Sequence, residues 1–476
     1  MYLLKREGSE TAMHASKCLM EIHGRAPWAN AMAGLLSALF NRLEESQLSW
    51  CVLHGYDRLP EEITSDVDCL VAPEALSARL GQIKNIIQSL CTDTNAVLVQ
   101  WIQHEATAHY FVFASKTENG HWEFLRFDVS SDYRRNGRIF YSGEEILNHR
   151  RRFNGFWVPA PRHEFGYYLV KKIAKGQLGS EHGERLSHLY HEDPIGCAKE
   201  IRKFWREDSA RLLEHAAESR DWALVQASIA QLRSELLRTT AARNPVATVR
   251  YVAGEVLRVG RRWRYPTGLW IAILGPDGSG KSTVAETVRE RIKPAFRRTA
   301  QFHFLPRLLR RKAAGHIVTD PHGQAPRSSV ASLAKVAYWL ADSVAGYAFV
   351  IRPALVRSTL VVFDRCVLDA VVDPKRYRYN GPSWLVRLLW KTIPKPDVVI
   401  LLDAPVEILH QRKQEVTWEE SERQRAAYRA LVERMPNGHI VDASRPLPEV
   451  VADIEDIIIR HMADRTARRL GLEKPA

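Results

Sequence analysis

Apolar positions change their period several times along the chain. After a polar start, Met32–Ser46 repeats apolar residues at three- and four-residue spacing, which predicts a helix in an N-terminal segment spanning 1–44. Two short apolar runs follow, Trp50–Tyr56 and Ser65–Val71, around a Gly-containing turn. With Leu98–Ile102, His109–Ser115 and Trp122–Ser130 they predict a strand-rich unit over 45–145. The period then turns helical, as in Phe165–Gly176 and Ala223–Arg238, predicting a helical accessory region over 146–237. Beyond a basic linker at 238–267, six-residue apolar runs (Leu269–Leu274, Thr359–Asp364, Val398–Asp403) alternate with long helical patterns. That alternation predicts an α/β unit with a parallel sheet over 268–462, ahead of a tail, 463–476, expected to fray. The fold class is therefore α/β for the C-terminal unit and α+β for the first.

Composition narrows the function. Of 476 residues, 45% are apolar and 26% charged, which excludes wholesale disorder. The net charge of +13 suits nucleotides, nucleic acid or an anionic membrane surface without choosing among them. No aromatic ladder interleaves with basic residues, so nucleic acid is not the expected partner. The linker holds seven arginines and one acid, Glu255, over 238–264, with Val246, Val249, Val252 and Val256 near helical spacing. A helix packed on a neighbouring domain is the favoured reading; peripheral membrane contact is the alternative. Ser332–Val356 is the most apolar stretch, but Lys335, Asp342 and Arg352 interrupt it, predicting a buried or amphipathic helix and no transmembrane segment. The six scattered cysteines form no C-x-x-C, and the first residues lack the apolar core of a signal peptide, so a cytoplasmic protein is expected. His182, His188 and His191 lie close in sequence but read as a polar helix face.

Gly275-Pro276-Asp277-Gly278-Ser279-Gly280-Lys281-Ser282-Thr283 matches G-x-x-x-x-G-K-[ST] between a predicted strand and a predicted helix. Glycines let successive N–H groups point at phosphate oxygens, and the helix adds its positive end. Lys281 would reach the β and γ phosphates of ATP, and Ser282 would offer a hydroxyl to Mg²⁺. A transfer site also needs a carboxylate and cations. Asp364-Arg365 closes one buried strand and Asp403 another, at the ends where α/β sheets bind ligands. Arg412, Lys413, Arg423 and Arg425 follow on a helical segment.

These motifs make residues 268–461 resemble the thymidylate kinase family of P-loop nucleoside monophosphate kinases. The resemblance implies a Mg²⁺-dependent transfer of the ATP γ-phosphoryl group. It implies that Asp364 organises the metal or acts as base and that Arg365 clamps phosphate. It implies that Asp277 contacts the acceptor sugar and that the protein is a homodimer. Gly278 stands where some members carry a catalytic arginine, so Arg412, Arg423 and Arg425 are the expected lid cations. Cys366, Ser343 and Asp373–Tyr379 depart from the family pattern at positions facing the thymine nucleotide. The acceptor is therefore left as a nucleoside monophosphate or a related phosphate- or sugar-bearing molecule. Arg291–Lys312, with eight Lys or Arg and no acid, reads either as a solvated face or as part of that acceptor site.

Upstream, Asp66 and Asp68 sit two apart on a predicted strand, on one face, and Asp128 lies on a later one. Three converging carboxylates would hold Mg²⁺. Residues 45–145 resemble the nucleotidyltransferase superfamily. That implies Asp66 and Asp68 as metal ligands and Asp128 as activator of an acceptor hydroxyl, although Tyr56 replaces the usual phosphate-touching serine. The competing reading is a nucleotide-binding regulatory protein with degenerate catalytic domains.

Overall fold

The computed structural model describes residues 28–105, 107–135, 138–243, 245–308, 327–414 and 416–472. The first part of the 1–44 segment, the Val246, Val249 and Val252 side chains and the end of the 291–312 stretch lie outside them.

The first sheet contains β1 (Trp50–Val52), β2 (Val67–Val71), β3 (Val97–Glu105), β4 (Ala108–Lys116) and β5 (Trp122–Ser130), in the order β1-β2-β5-β4-β3. β2 and β5 run parallel; the other pairs are antiparallel. Side chains alternate across it. Trp50 and Val52 face the core formed with helix Trp28–Glu45, while Cys51 and Leu53 face the helical region. β6 (Asp132–Arg135) pairs with β7 (Arg138–Ser142).

The 146–237 region is not purely helical. It opens with a hairpin, β8 (Arg150–Phe153) and β9 (Phe156–Pro159), whose Phe156 ring packs 5.1 Å from Phe40. Helices from Pro161 onward then cover the sheet, with Phe165, Leu169 and Ile173 fully buried. The linker is helical throughout most of its length, in Ile229–Arg243 and Pro245–Arg264. The second of these packs on helix Arg352–Val356 and on β3. Its Val256, Leu257 and Trp263 stay exposed.

The second sheet is wholly parallel: β10 (Leu269–Leu274), β11 (Arg298–His303), β12 (Thr359–Asp364), β13 (Val398–Asp403) and β14 (Gly438–Asp442), in the order β11-β12-β10-β13-β14. All residues of β10, β12 and β13 are buried, as strands covered on both faces require. The Ser329–Val356 stretch bends through a π-turn at Tyr347–Ile351. It is the one described helix long and apolar enough to cross a membrane, and it leaves Val330, Leu340, Val344 and Phe349 exposed.

The expected frayed tail is instead the end of a 24-residue helix, Leu447–Leu470, closed by Gly471 at φ +65°. Ile454, Ile458 and Met462 are fully buried, in one core that also holds Val99 and Val112 of the first sheet and Ile271 of the second. Thr466 donates to the Val99 carbonyl at 2.9 Å, and Lys116 pairs with Asp456 at 2.7 Å. The two units thus share one hydrophobic core.

Candidate functional site

The loop 275–280 leaves the C-terminal end of β10 and enters helix Lys281–Ile292. Gly278 and Gly280 both take φ +83°, in the left-handed region that glycine adopts without strain. A Cβ on Gly278 would come within 2.5 Å of the Leu409 carbonyl, so that position also has no room for a side chain. Lys281 is folded into the loop, donating to the Pro276 carbonyl at 2.7 Å. Burial pulls its ammonium down to about 7. Ser282 donates to Asp364 Oδ2 at 2.8 Å. The other oxygen, Asp364 Oδ1, is buried with no hydrogen-bond partner. A carboxylate oxygen left bare beside a hydroxyl fits a divalent cation, so Ser282 and Asp364 are the residues that would hold Mg²⁺.

Arg365 adopts φ +73°, strained for a side-chain-bearing residue, and its N–H donates to the Ile273 carbonyl at 3.1 Å. The strain aims its guanidinium back over the loop. It donates to Asp277 at 2.5 Å and to fully buried Asp369 at 2.8 Å. Arg376 holds the second Asp277 oxygen at 2.6 Å. Asp277 is thus clamped by two arginines. Phe304 and Tyr377 stack nearby with centroids 4.3 Å apart, and Trp339 stands edge-on to Tyr377.

The lid cations separate. Arg423 donates to the Val372 carbonyl at 2.6 Å, on the segment next to Arg376. Arg425 is bidentate on Asp403, and Arg412 donates to the Ala443 carbonyl, so both are tied to the β13–β14 side. Ser279 is buried in the loop, while Thr283 lies exposed on the helix that follows. The family departures are structural in part. Cys366 is buried among Leu368 and Val372, and burial pushes its thiol up. Ser343 is buried on its helix, and Asp342 accepts from the Arg307 N–H at 2.9 Å. His303 sits opposite Asp364 in the β11–β12 register.

Sequence patterning did not single out Asp369. Its only signal was an acid four residues after Arg365; the two meet across the turn that leads into helix Asp369–Val372.

In the first unit, Asp68 and Asp128 are register partners on parallel β2 and β5. Asp66, just before β2, pairs with Arg126 at 2.9 Å and accepts from Tyr110. The three carboxylates lie at neighbouring strands, but their oxygens do not all lie within 4.8 Å of one another, and Asp68 is already met by Lys171 at 2.9 Å and His54 at 2.9 Å. Burial raises the Asp68 carboxyl, yet Lys171 and then His54 outweigh it and hold the group well below the usual range. Burial, and then Asp68, push Asp128 up to about 7. Lys171 is a second residue the sequence did not flag. Tyr56 turns away from the acids into the core, where it donates to buried Glu164, itself paired with Arg185 at 2.7 Å. The three histidines do not converge: His182 accepts from the Gly179 N–H, His188 pairs with Glu192, and His191 bonds the Ser187 carbonyl. Glu145, His163 and Glu200 do converge, but Lys203 bridges both acids.

A phosphate loop at the carboxyl edge of a five-stranded parallel sheet, with a strand-end Asp-Arg beside it, defines a P-loop kinase. The model of the family described as thymidylate kinase matches residues 273–454. A thymidylate kinase of Xanthomonas campestris pv. campestris is 28% identical over 212 residues, covering 42% of this chain and 87% of that protein. A protein named "Probable thymidylate kinase" from Pyrobaculum calidifontis is 30% identical over 209 residues, covering 41% of this chain and 98% of its own length. A solved thymidylate kinase from Candida albicans covers 40% of this chain and 91% of its own, at 18% identity and a TM-score of 0.32. The enzyme is a P-loop nucleoside monophosphate kinase, with ATP as its nucleotide. The chain belongs to the thymidylate kinase family through its C-terminal unit.

Proposed function

We propose that the enzyme moves the γ-phosphoryl group of ATP, with Mg²⁺, onto a nucleoside monophosphate or a closely related phosphate-bearing acceptor. The acceptor oxygen forms a bond to the γ phosphorus while the bond to the bridging oxygen breaks, and ADP leaves. Mg²⁺ held by Ser282 and Asp364 would neutralise charge on the phosphates. Lys281 and the loop N–H groups bind them, and Arg365 faces the transferred group. The observation that carries this reading is the pair of arginines on Asp277. It gathers two cations beside the loop, where an acceptor phosphate must approach, and the Phe304–Tyr377 stack offers a flat surface next to them. Arg423 reaches the same side, which favours it over Arg412 and Arg425 as the acceptor-facing cation. The homodimer implied by the family stays part of this proposal, and light scattering at twice 54.3 kDa checks it.

Purified protein incubated with γ-labelled ATP, Mg²⁺ and a panel of nucleoside monophosphates, nucleosides and phosphosugars tests the acceptor class. Labelling of a monophosphate is expected. Bound ATP with no labelled acceptor shifts support to the regulatory alternative.

A second reading concerns the first unit. The register pairing of Asp68 with Asp128 supports a nucleotidyltransferase-like centre, with Asp66 and Asp68 on the metal and Asp128 activating a hydroxyl. Asp66→Asn with Asp68→Asn is expected to remove nucleotide incorporation and leave phosphotransfer intact. Unchanged incorporation refutes it.

A further inference from the structure

The amino-terminal ends of β10 and β13, opposite the phosphate loop, open onto a cavity of about 1000 Å³. Thr267 and Asp397 mark those ends. The length of a six-residue strand separates this cavity from the loop by roughly 20 Å. Its other walls are β3, helix 245–264 and the last turns of helix 447–470, so both units contribute to it. Nine of its lining side chains are Lys or Arg, and one, Asp397, is acidic.

Most of these cations have no carboxylate. Arg465 donates to the carbonyls of Gly268 at 2.7 Å and Thr267 at 3.1 Å. Arg469 donates to the Trp101 carbonyl, Arg262 to that of Gln103, and Lys84 to that of Leu470. None of these four forms an ion pair among the described residues. A guanidinium carries five donors, and one or two carbonyl bonds leave the others unused. Burial, followed by Arg465 and Arg262, pulls Arg469 down to about 10, and burial also lowers Arg465 and Arg262.

A purely structural role, fastening helix 447–470 to β3, accounts for Arg465, Arg469 and Lys84. It does not account for Arg261 and Arg264. They line the same space from its exposed rim, and among the described residues their guanidinium groups make no hydrogen bond or ion pair. Like charges gathered from three elements around a part-enclosed space repel unless an anion joins them. Arginine forks match phosphate oxygens in pairs, and several forks call for more than one phosphate group. We propose that this cavity binds a small soluble anion carrying two or more phosphate groups, at a site separate from the phosphate loop.

Inorganic tripolyphosphate is the probe, titrated calorimetrically into the full-length Lys281→Ala protein so that the phosphate loop is impaired. Saturable binding is expected, weakened at least tenfold when Arg261→Ser and Arg264→Ser are added. Circular dichroism melting should be the same with and without the rim pair. As a check that needs no variant, tripolyphosphate should protect Arg261, Arg264 and Arg469 of the natural chain from phenylglyoxal. No binding, equal affinity in the rim variant, or unprotected arginines would overturn the site. So would binding only to vesicles containing phosphatidylinositol bisphosphate and not to tripolyphosphate.

Discussion

At the end of β12, Asp364 accepts from Ser282 and keeps one buried oxygen bare, whereas across β2 and β5 Asp68 is already met by Lys171 and His54. Both clusters lie on parallel strands and both gather acids. They differ in where the positive charge comes from. The first leaves its place open to a cation from solution. The second carries a cation on its own chain, and a divalent ion would have to displace Lys171. Acids brought to neighbouring strands therefore do not by themselves distinguish a metal site from an internally neutralised one; the neighbours of each oxygen do.

The sharpest way to break this contrast is to remove the open site. Asp364→Ala or Lys281→Ala should lower phosphotransfer by about a thousandfold or more while circular dichroism stays native. Activity within a few fold of the natural enzyme would mean that the bare oxygen has no chemical role. A smaller effect is expected at the acceptor clamp. Arg376→Ala should raise the acceptor KM by about tenfold with a lesser change in kcat, since a charge-assisted contact to a bound phosphate is lost. An equal fall in kcat and kcat/KM would place Arg376 on the transferred group instead. For the closed cluster, Lys171→Met should strengthen Mn²⁺ binding there by about tenfold, because an opposing charge is removed. Electron paramagnetic resonance measures it, and unchanged affinity would show that Lys171 is not the barrier. The mildest test is protonic. With its ammonium near 7, Lys281 is largely neutral at pH 8.5 in the free enzyme and charged at pH 6. Phosphate favours the charged form, so ATP binding should take up nearly one proton at pH 8.5 and little at pH 6. Calorimetry in buffers of different ionisation enthalpy reads that uptake directly.

The phosphate loop was legible because its signal is contiguous: strand, glycines at left-handed φ and helix follow one another within a few residues. The β10, β12 and β13 strands were legible because burial on both faces demands unbroken apolar runs. Contacts formed across long chain separations were not. Arg376 reaches Asp277 from 99 positions away, and Lys171 reaches Asp68 from 103. The β8 strand was not singled out because Arg150-Arg151-Arg152 offers no apolar alternation, though Arg150 and Arg152 lie over the Trp157 ring. The C-terminal segment misled for a related reason. Its arginines look like a frayed end, but Arg465 and Arg469 bond strand and loop carbonyls, and Met462, Ala463 and Ala467 lie buried beneath.

That last helix has a consequence for biosynthesis. Thr466 meets Val99 across 367 positions, so one face of the first sheet lacks its cover until the final helix has left the ribosome. With more than 300 residues still to be added after β5, at roughly 5–20 residues per second, the apolar side chains Val99 and Val112 wait for tens of seconds. The nascent first unit is thus open to aggregation over that interval. Release of a chain truncated before residue 447 would leave that face permanently uncovered, so truncated products should aggregate even when every residue of the first sheet is present.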